Sequence, residues 1–103
     1  MAWIVDFTHI LDERGEFAMT SGPARRLAEF MAAIVEMASD RSVVRQVKCR
    51  RRPGKKPCRG LISAGIHPDD GGIEWLCPVC GDRGYISNWQ GTRWDRSTGR
   101  TLH

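Results

Sequence analysis

Four cysteines, Cys49, Cys58, Cys77 and Cys80, constrain this 103-residue chain more than any other feature. The sharper half is Cys77-Pro78-Val79-Cys80-Gly81. Two intervening residues let both thiolates face one ion, and the glycine that follows lets the backbone turn left-handed, so that amide N–H groups can point at sulfur. The other half, Cys49 and Cys58, encloses eight residues, more than the usual two to four. Pro53-Gly54 allows that loop to double back, and Gly60, two places after Cys58, stands near where a knuckle glycine helps. The eighteen residues between Cys58 and Cys77 suit a hairpin that returns to the metal. Four thiolates then close a tetrahedral site around one structural zinc ion, with no open position for catalytic water. His67 is the alternative ligand to Cys58, and thiolate ligands by themselves also permit iron.

A chain of this length buries a modest fraction of its surface, so reliance on a metal is physically reasonable. No run approaches the ~20 consecutive apolar residues of a membrane span. Met1–Asp6 has no basic segment followed by an apolar one, so it does not read as a secretory signal. The expected compartment is the cytoplasm, where four reduced cysteines point to metal before disulfides.

Charge is unevenly distributed. Residues 1–40 carry three basic and seven acidic side chains, net −4; residues 41–60 carry nine basic and none acidic; residues 61–103 carry four basic and five acidic. The basic block includes Arg50, Arg51, Arg52, Lys55, Lys56 and Arg59, between or beside the first two cysteines. Clamped by a metal at both ends, these residues form a candidate phosphate-binding cluster. Trp75, Tyr85, Trp89 and Trp94 are candidates for stacking on unpaired bases, with core filling as the alternative, preferred for Trp75.

The predicted fold class is α+β: an N-terminal β-hairpin and one amphipathic helix packed on a small antiparallel sheet of three to four strands. Trp3, Val5 and Phe7 alternate with Ile4, Asp6 and Thr8 over residues 3–9, Asp12–Gly15 reads as a turn, and Glu16–Met19 as a return strand. Ser21-Gly22-Pro23 starts a helix with Ser21 as its cap, and Leu27, Phe30, Met31, Ile34, Val35 and Ala38 form its apolar face. Strands are expected over Ser42–Lys48, Leu61–Ile66, Ile73–Leu76 and Tyr85–Trp89, with a turn at His67–Gly72. The organisation read from this is a hairpin-helix element over 1–40, a zinc ribbon over 41–95 and a flexible polar tail over 96–103.

From Cys49 to Asp95 the pattern resembles the zinc-ribbon class. The stretch from Trp75 through Cys77-Pro-Val-Cys80-Gly to Trp89, Trp94 and Asp95 is similar to the ending of small bacterial zinc-ribbon proteins that lack an assigned function. The eight-residue gap departs from the compact ribbon pattern, and residues 1–40 lie outside the resemblance. The likeness favours zinc over iron and implies a non-catalytic binding module. The function expected first is contact with nucleic acid through the basic loop; the alternative is a protein-interaction or regulatory adaptor with a purely structural zinc. No P-loop, dinucleotide-binding glycine motif or catalytic triad pattern supports an enzyme.

Overall fold

The His67–Gly72 turn and the Cys77–Asp82 segment each reverse the chain, and between them they build the sheet. The computed structural model describes residues 2–40, 46–50 and 56–97. Within these, strands β1 (Ala2–Asp6), β2 (Ser63–Ile66), β3 (Ile73–Leu76) and β4 (Arg83–Ser87) form one sheet in the order β1-β4-β3-β2, and a single α-helix, α1, spans Gly22–Ser39. The α+β class is as expected from the sequence.

β2 and β3 pair antiparallel, Ser63 opposite Leu76 and Ile66 opposite Ile73. Their turn is closed by the His67 N–H donating to the Gly72 carbonyl at 2.7 Å and the Gly71 N–H donating to the His67 carbonyl at 2.9 Å. β3 and β4 are also antiparallel, Ile73 opposite Ile86 and Leu76 opposite Arg83. β1 lies parallel to β4, with Trp3 opposite Gly84 and Val5 opposite Ile86.

That parallel pairing corrects one part of the expected N-terminal hairpin, the partner of its first strand. The alternation at Trp3, Val5 and Phe7 does mark a strand, but the strand ends at Asp6. The Asp6 carboxylate accepts from the Thr8 N–H at 3.1 Å and its hydroxyl at 2.6 Å, turning the chain into a short 3-10 helix over Phe7–Ile10. The Asp12–Gly15 turn is present, with the Asp12 carboxylate accepting from the Arg14 and Glu16 amides and Gly15 at φ +78°. It closes a short antiparallel pairing of residues 10–12 with 16–18, in which Leu11 bridges Phe17, the Asp12 N–H donates to the Glu16 carbonyl at 2.7 Å and the Ala18 N–H donates to the Ile10 carbonyl at 3.0 Å, so the return segment pairs with the residues after β1 and not with β1 itself. Alternation identifies a strand and its buried face but not its partner. A two-stranded hairpin is marginal alone, whereas an edge position on an existing sheet gives the same residues a hydrophobic surface to join. The sheet is therefore mixed, antiparallel over β2-β3-β4 and parallel at β1.

Helix α1 begins with Pro23 in its first turn, where the missing N–H costs nothing. Ser21 occupies the cap position, but its side chain makes no capping hydrogen bond. Of the expected apolar face, Met31, Ile34 and Val35 are fully buried, joined by Ala28 and Ala32, while Leu27, Phe30 and Ala38 are partly buried. The helix packs on the inner face of the sheet, where Ile73, Trp75 and Ile86 are buried together with Phe7, Val47, Ile62 and Trp89. The helix and the sheet thus share one core.

Beyond β4, Trp94 stacks on Phe17 with centroids 4.6 Å apart and meets Phe7 edge-on at 5.6 Å. The chain then reaches the end of α1. The Arg96 N–H donates to the Ser39 hydroxyl at 2.9 Å, and its guanidinium pairs with Glu36. Of the predicted flexible tail over 96–103, Arg96 bonds to Ser39 and Ser97 to Asp95; residues 98–103 lie outside the described part, as does Ser42–Arg45 of the first expected ribbon strand. Among the described residues no helix is long and apolar enough to cross a membrane.

Candidate metal centre

Two reversals of the chain bring the four cysteines together. The second knuckle closes β3 onto β4: the Cys77 N–H donates to the Asp82 carbonyl at 2.7 Å, and the Gly81 N–H donates back to the Cys77 carbonyl at 2.9 Å. Gly81 has φ +80°, a left-handed conformation that costs glycine nothing. The role expected for it from the sequence is the one it has.

The first knuckle solves the eight-residue gap by backbone pairing. The Cys49 N–H donates to the Gly60 carbonyl at 2.9 Å, the Ile62 N–H donates to the Val47 carbonyl at 2.8 Å, and Lys48 bridges Leu61 antiparallel. Residues 47–49 and 60–62 therefore run side by side, so Cys49 and Cys58 meet whatever the length of the intervening loop.

The resulting sulfur cluster is tight. All four Sγ atoms lie within 4.8 Å of one another. Cys49 Sγ is 3.7 Å from Cys80 Sγ, and Cys58 Sγ is 3.6 Å from Cys77 Sγ. Zinc–sulfur bonds of about 2.3 Å in a regular tetrahedron place sulfurs about 3.8 Å apart. The geometry and the donor chemistry both fit a metal ion held by four thiolates, which is consistent with a zinc-ribbon-like motif. His67 is not part of this cluster; it sits at the far end of the β2-β3 hairpin, 3.6 Å from both Asp70 and Glu74.

Burial and hydrogen bonding set the state of the thiols. Cys77 is fully buried and Cys49 nearly so, while Cys58 and Cys80 are half-buried. Burial pushes the Cys77 thiol up, but the backbone N–H groups of Cys80 and Val79, with the neighbouring Cys58 and Cys80 side chains, outweigh it and hold Cys77 down at about 7. At Cys58 the Gly60 N–H, 3.4 Å from Sγ, favours the thiolate. Desolvation and the adjacent Cys77 and Cys80 sulfurs win there and raise it. A cation among the four sulfurs removes that mutual repulsion.

Two residues of the centre escaped sequence reasoning in their true roles. Gly60 donates to sulfur as expected of a knuckle glycine, yet its stronger constraint is space. A Cβ there would stand 2.4 Å from Cys77 Sγ and 3.0 Å from the Val79 Cβ. Asp82 is 7% exposed, and its carboxylate accepts from the Trp3 indole N–H at 3.2 Å, tying β1 to the second knuckle across 79 positions of sequence. The Cys-Pro-Val-Cys-Gly-Asp run carries no local signal for that bond.

The candidate nucleic-acid residues fare unevenly. Arg50, Lys56 and Arg59 are exposed, and the Arg50 guanidinium lies 5.9 Å from the centre of the Phe30 ring. Arg51, Arg52 and Lys55 lie outside the described residues. The aromatic residues considered for base stacking are engaged elsewhere. Trp75 is 2% exposed and meets Phe30 edge-on; Trp89 is 3% exposed and donates to the Gly71 carbonyl at 2.7 Å. Trp94 is stacked on Phe17, and the Tyr85 ring lies over Gly72.

Comparison with known protein families, with curated proteins and with solved structures finds no match. What the geometry itself shows is a small α+β fold with four cysteines close enough to hold a metal ion, compatible with structural zinc.

Proposed function

We propose that this chain is a non-catalytic binding module organised by one structural zinc, and that it serves as a protein-interaction or regulatory adaptor. The observation that carries the adaptor reading is the fate of the tryptophans. Trp75 and Trp89 fill the core under and beside α1, so they offer no stacking platform next to the basic residues. Large apolar side chains are meanwhile exposed elsewhere. Ile4 and Leu76 stand on the outer face of the sheet, and Val79 protrudes from the second knuckle. The non-catalytic reading rests on the donor set, since four thiolates leave a tetrahedral ion no position for water or substrate.

Nucleic-acid contact is the second reading, supported by Arg50, Lys56 and Arg59, which are exposed around the first cysteine pair. It would act by phosphate attraction without base stacking.

One titration separates the two. Zinc-loaded protein is mixed with labelled single- and double-stranded oligonucleotides at low and high salt, and anisotropy is followed. The adaptor reading expects no binding even at low salt, and a co-purifying protein that is lost in a Leu76→Asp, Val79→Asp double variant. Binding that weakens by ~0.9 log units per contact for each tenfold rise in salt, and that is lost on replacing Arg50, Lys56 and Arg59 by Ala, overturns it in favour of nucleic acid.

A further inference from the structure

Strand β1 ends the sheet on one side, and its outer edge is open. The strand order stops at β1, and among the described residues no backbone hydrogen bond from outside the sheet reaches Ala2–Asp6. Two contacts to β4 show which backbone groups face outward. The Val5 carbonyl accepts from the Ser87 hydroxyl at 3.4 Å, and the Trp3 carbonyl lies 2.6 Å from where a Cβ on Gly84 would stand. Trp3 and Val5 therefore turn their backbone toward β4. Successive residues of a strand point their N–H and C=O to opposite edges, so Ile4, at the midpoint of β1, presents both groups to the open side.

Proteins blunt exposed edges with lysine, proline or a bulge. Ala2-Trp3-Ile4-Val5-Asp6 has no lysine or proline, and its register with β4 runs unbroken. Ile4 is 83% exposed, more than any other large hydrophobic residue described.

Three features of this edge select a second copy of the same chain. An antiparallel pairing about a two-fold axis through Ile4 lets the two Ile4 residues exchange both hydrogen bonds. It sets Trp3 opposite the partner's Val5 on the inner face, an aromatic residue against a β-branched one, which stabilises sheets. It also sets Asp6 opposite the partner's Ala2, so like charges do not meet. Ala2 is in register with Arg83, so the partner's Arg83 then stands one strand beyond, on the outer face that Asp6 shares. That face follows from Gly84, whose Cβ would meet Trp75 Nε1 on the inner side at 2.5 Å, leaving Arg83 to point outward. Arg83 is exposed and makes no ion pair among the described residues.

We propose that β1 is a homodimerisation edge: two copies join β1 to β1, antiparallel and centred on Ile4, into one eight-stranded sheet with both α1 helices on the same side. Five strand residues per copy are fewer than the ~20–30 a side of stable complexes, so the dimer is weak and forms only at high protein concentration. It does not rest on the adaptor reading, whose Leu76 lies on β3, two strands away.

The test is sedimentation equilibrium of the zinc-loaded full chain from low micromolar to millimolar concentration, where wild type should pass from monomer to dimer. A half-labelled NMR sample should show contacts between the Trp3 ring of one copy and the Val5 methyls of the other. Ile4→Lys sets two lysines opposite each other and should stay monomeric, with zinc content and a dispersed amide spectrum retained. Arg83→Glu should weaken association at least about threefold, because two exposed attractions become repulsions. Leu76→Asp should associate as wild type does. A wild-type monomer throughout, undiminished association in Ile4→Lys or Arg83→Glu, or a dimer lost in Leu76→Asp would overturn the proposal.

Discussion

Replacing Gly60 by alanine adds one methyl group, and the structure says where it must go. The new Cβ would stand 2.4 Å from Cys77 Sγ and 3.0–3.1 Å from two atoms of Val79. An ordinary carbon–sulfur contact is well over an ångström longer than the first of these. The exposed Val79 side chain can give, but Cys77 cannot, because it is fully buried and its backbone is held at both ends by the Asp82 and Gly81 bonds. Either Cys77 leaves its place in the tetrahedron or the 58–60 segment lifts away with Cys58. Overpacking of this kind costs about 1–3 kcal/mol, and disturbances beside a metal's ligands weaken metal binding by about 10–100-fold. Gly60→Ala should therefore lower zinc affinity by one to two orders of magnitude, read by competition with a chromophoric chelator, and lower the melting temperature of the zinc form. Gly65→Ala is the matched control. It lies in β2, a Cβ there meets nothing within 4 Å, and its zinc affinity should equal wild type. Wild-type affinity in Gly60→Ala, or equal losses in both variants, would refute the close-approach argument.

Other outcomes follow from the same geometry. Metal analysis should find one zinc per chain and loss of zinc in Cys58→Ser, whereas full retention would remove Cys58 from the ligand set. Chelation should abolish the dispersed amide NMR signals of residues 60–87, because a structural zinc contributes an apparent ~10–16 kcal/mol to folding at neutral pH. Ile34→Ala, at a fully buried position facing the sheet, should cost about 2–5 kcal/mol in urea unfolding of the zinc form, and a cost below about 1 kcal/mol would mean that α1 does not pack as described. Asp95 provides a pH dependence. Burial alone would raise its carboxyl, but the Ser97 hydroxyl and the Gly91 and Ser97 amides outweigh it and hold it below its ordinary value. A depressed carboxylate contributes stability that is present above its unfolded pKa and is lost as pH falls through the folded one. The stability difference between wild type and Asp95→Asn should therefore be largest near neutrality and shrink as the pH drops below about 4, as denaturant midpoints at a series of pH values will show.

Much of the architecture was legible because it is written in short-range chemistry. The spacing of Met31, Ile34 and Val35 marks the buried face of a helix, the His67–Gly72 composition marks a turn, and Ile73–Leu76 reads as a strand with its correct bounds. Cys77-Pro78-Val79-Cys80-Gly81 marks a metal knuckle because a two-residue spacing and a left-handed glycine are both local requirements. Cys49 and Cys58 were legible as candidate ligands by residue type. How they meet was not, because their approach depends on backbone bonds between residues 47–49 and 60–62.

What only the tertiary structure decided is who partners whom. The alternation at Trp3, Val5 and Phe7 is equally compatible with a hairpin of its own and with an edge of the ribbon sheet. The choice of β4 is made by a pairing about eighty residues away and by the Trp3–Asp82 bond. Whether a tryptophan stacks on a ligand or fills the core is likewise invisible in composition, since the indole suits both until its neighbours are known. Local propensity and metal-ligand spacing are properties of a few consecutive residues, so the sequence alone determined the helix, the turns and the thiolate set. Register, burial and the room left at Gly60 are properties of segments brought together by folding, and only the packed chain contains them.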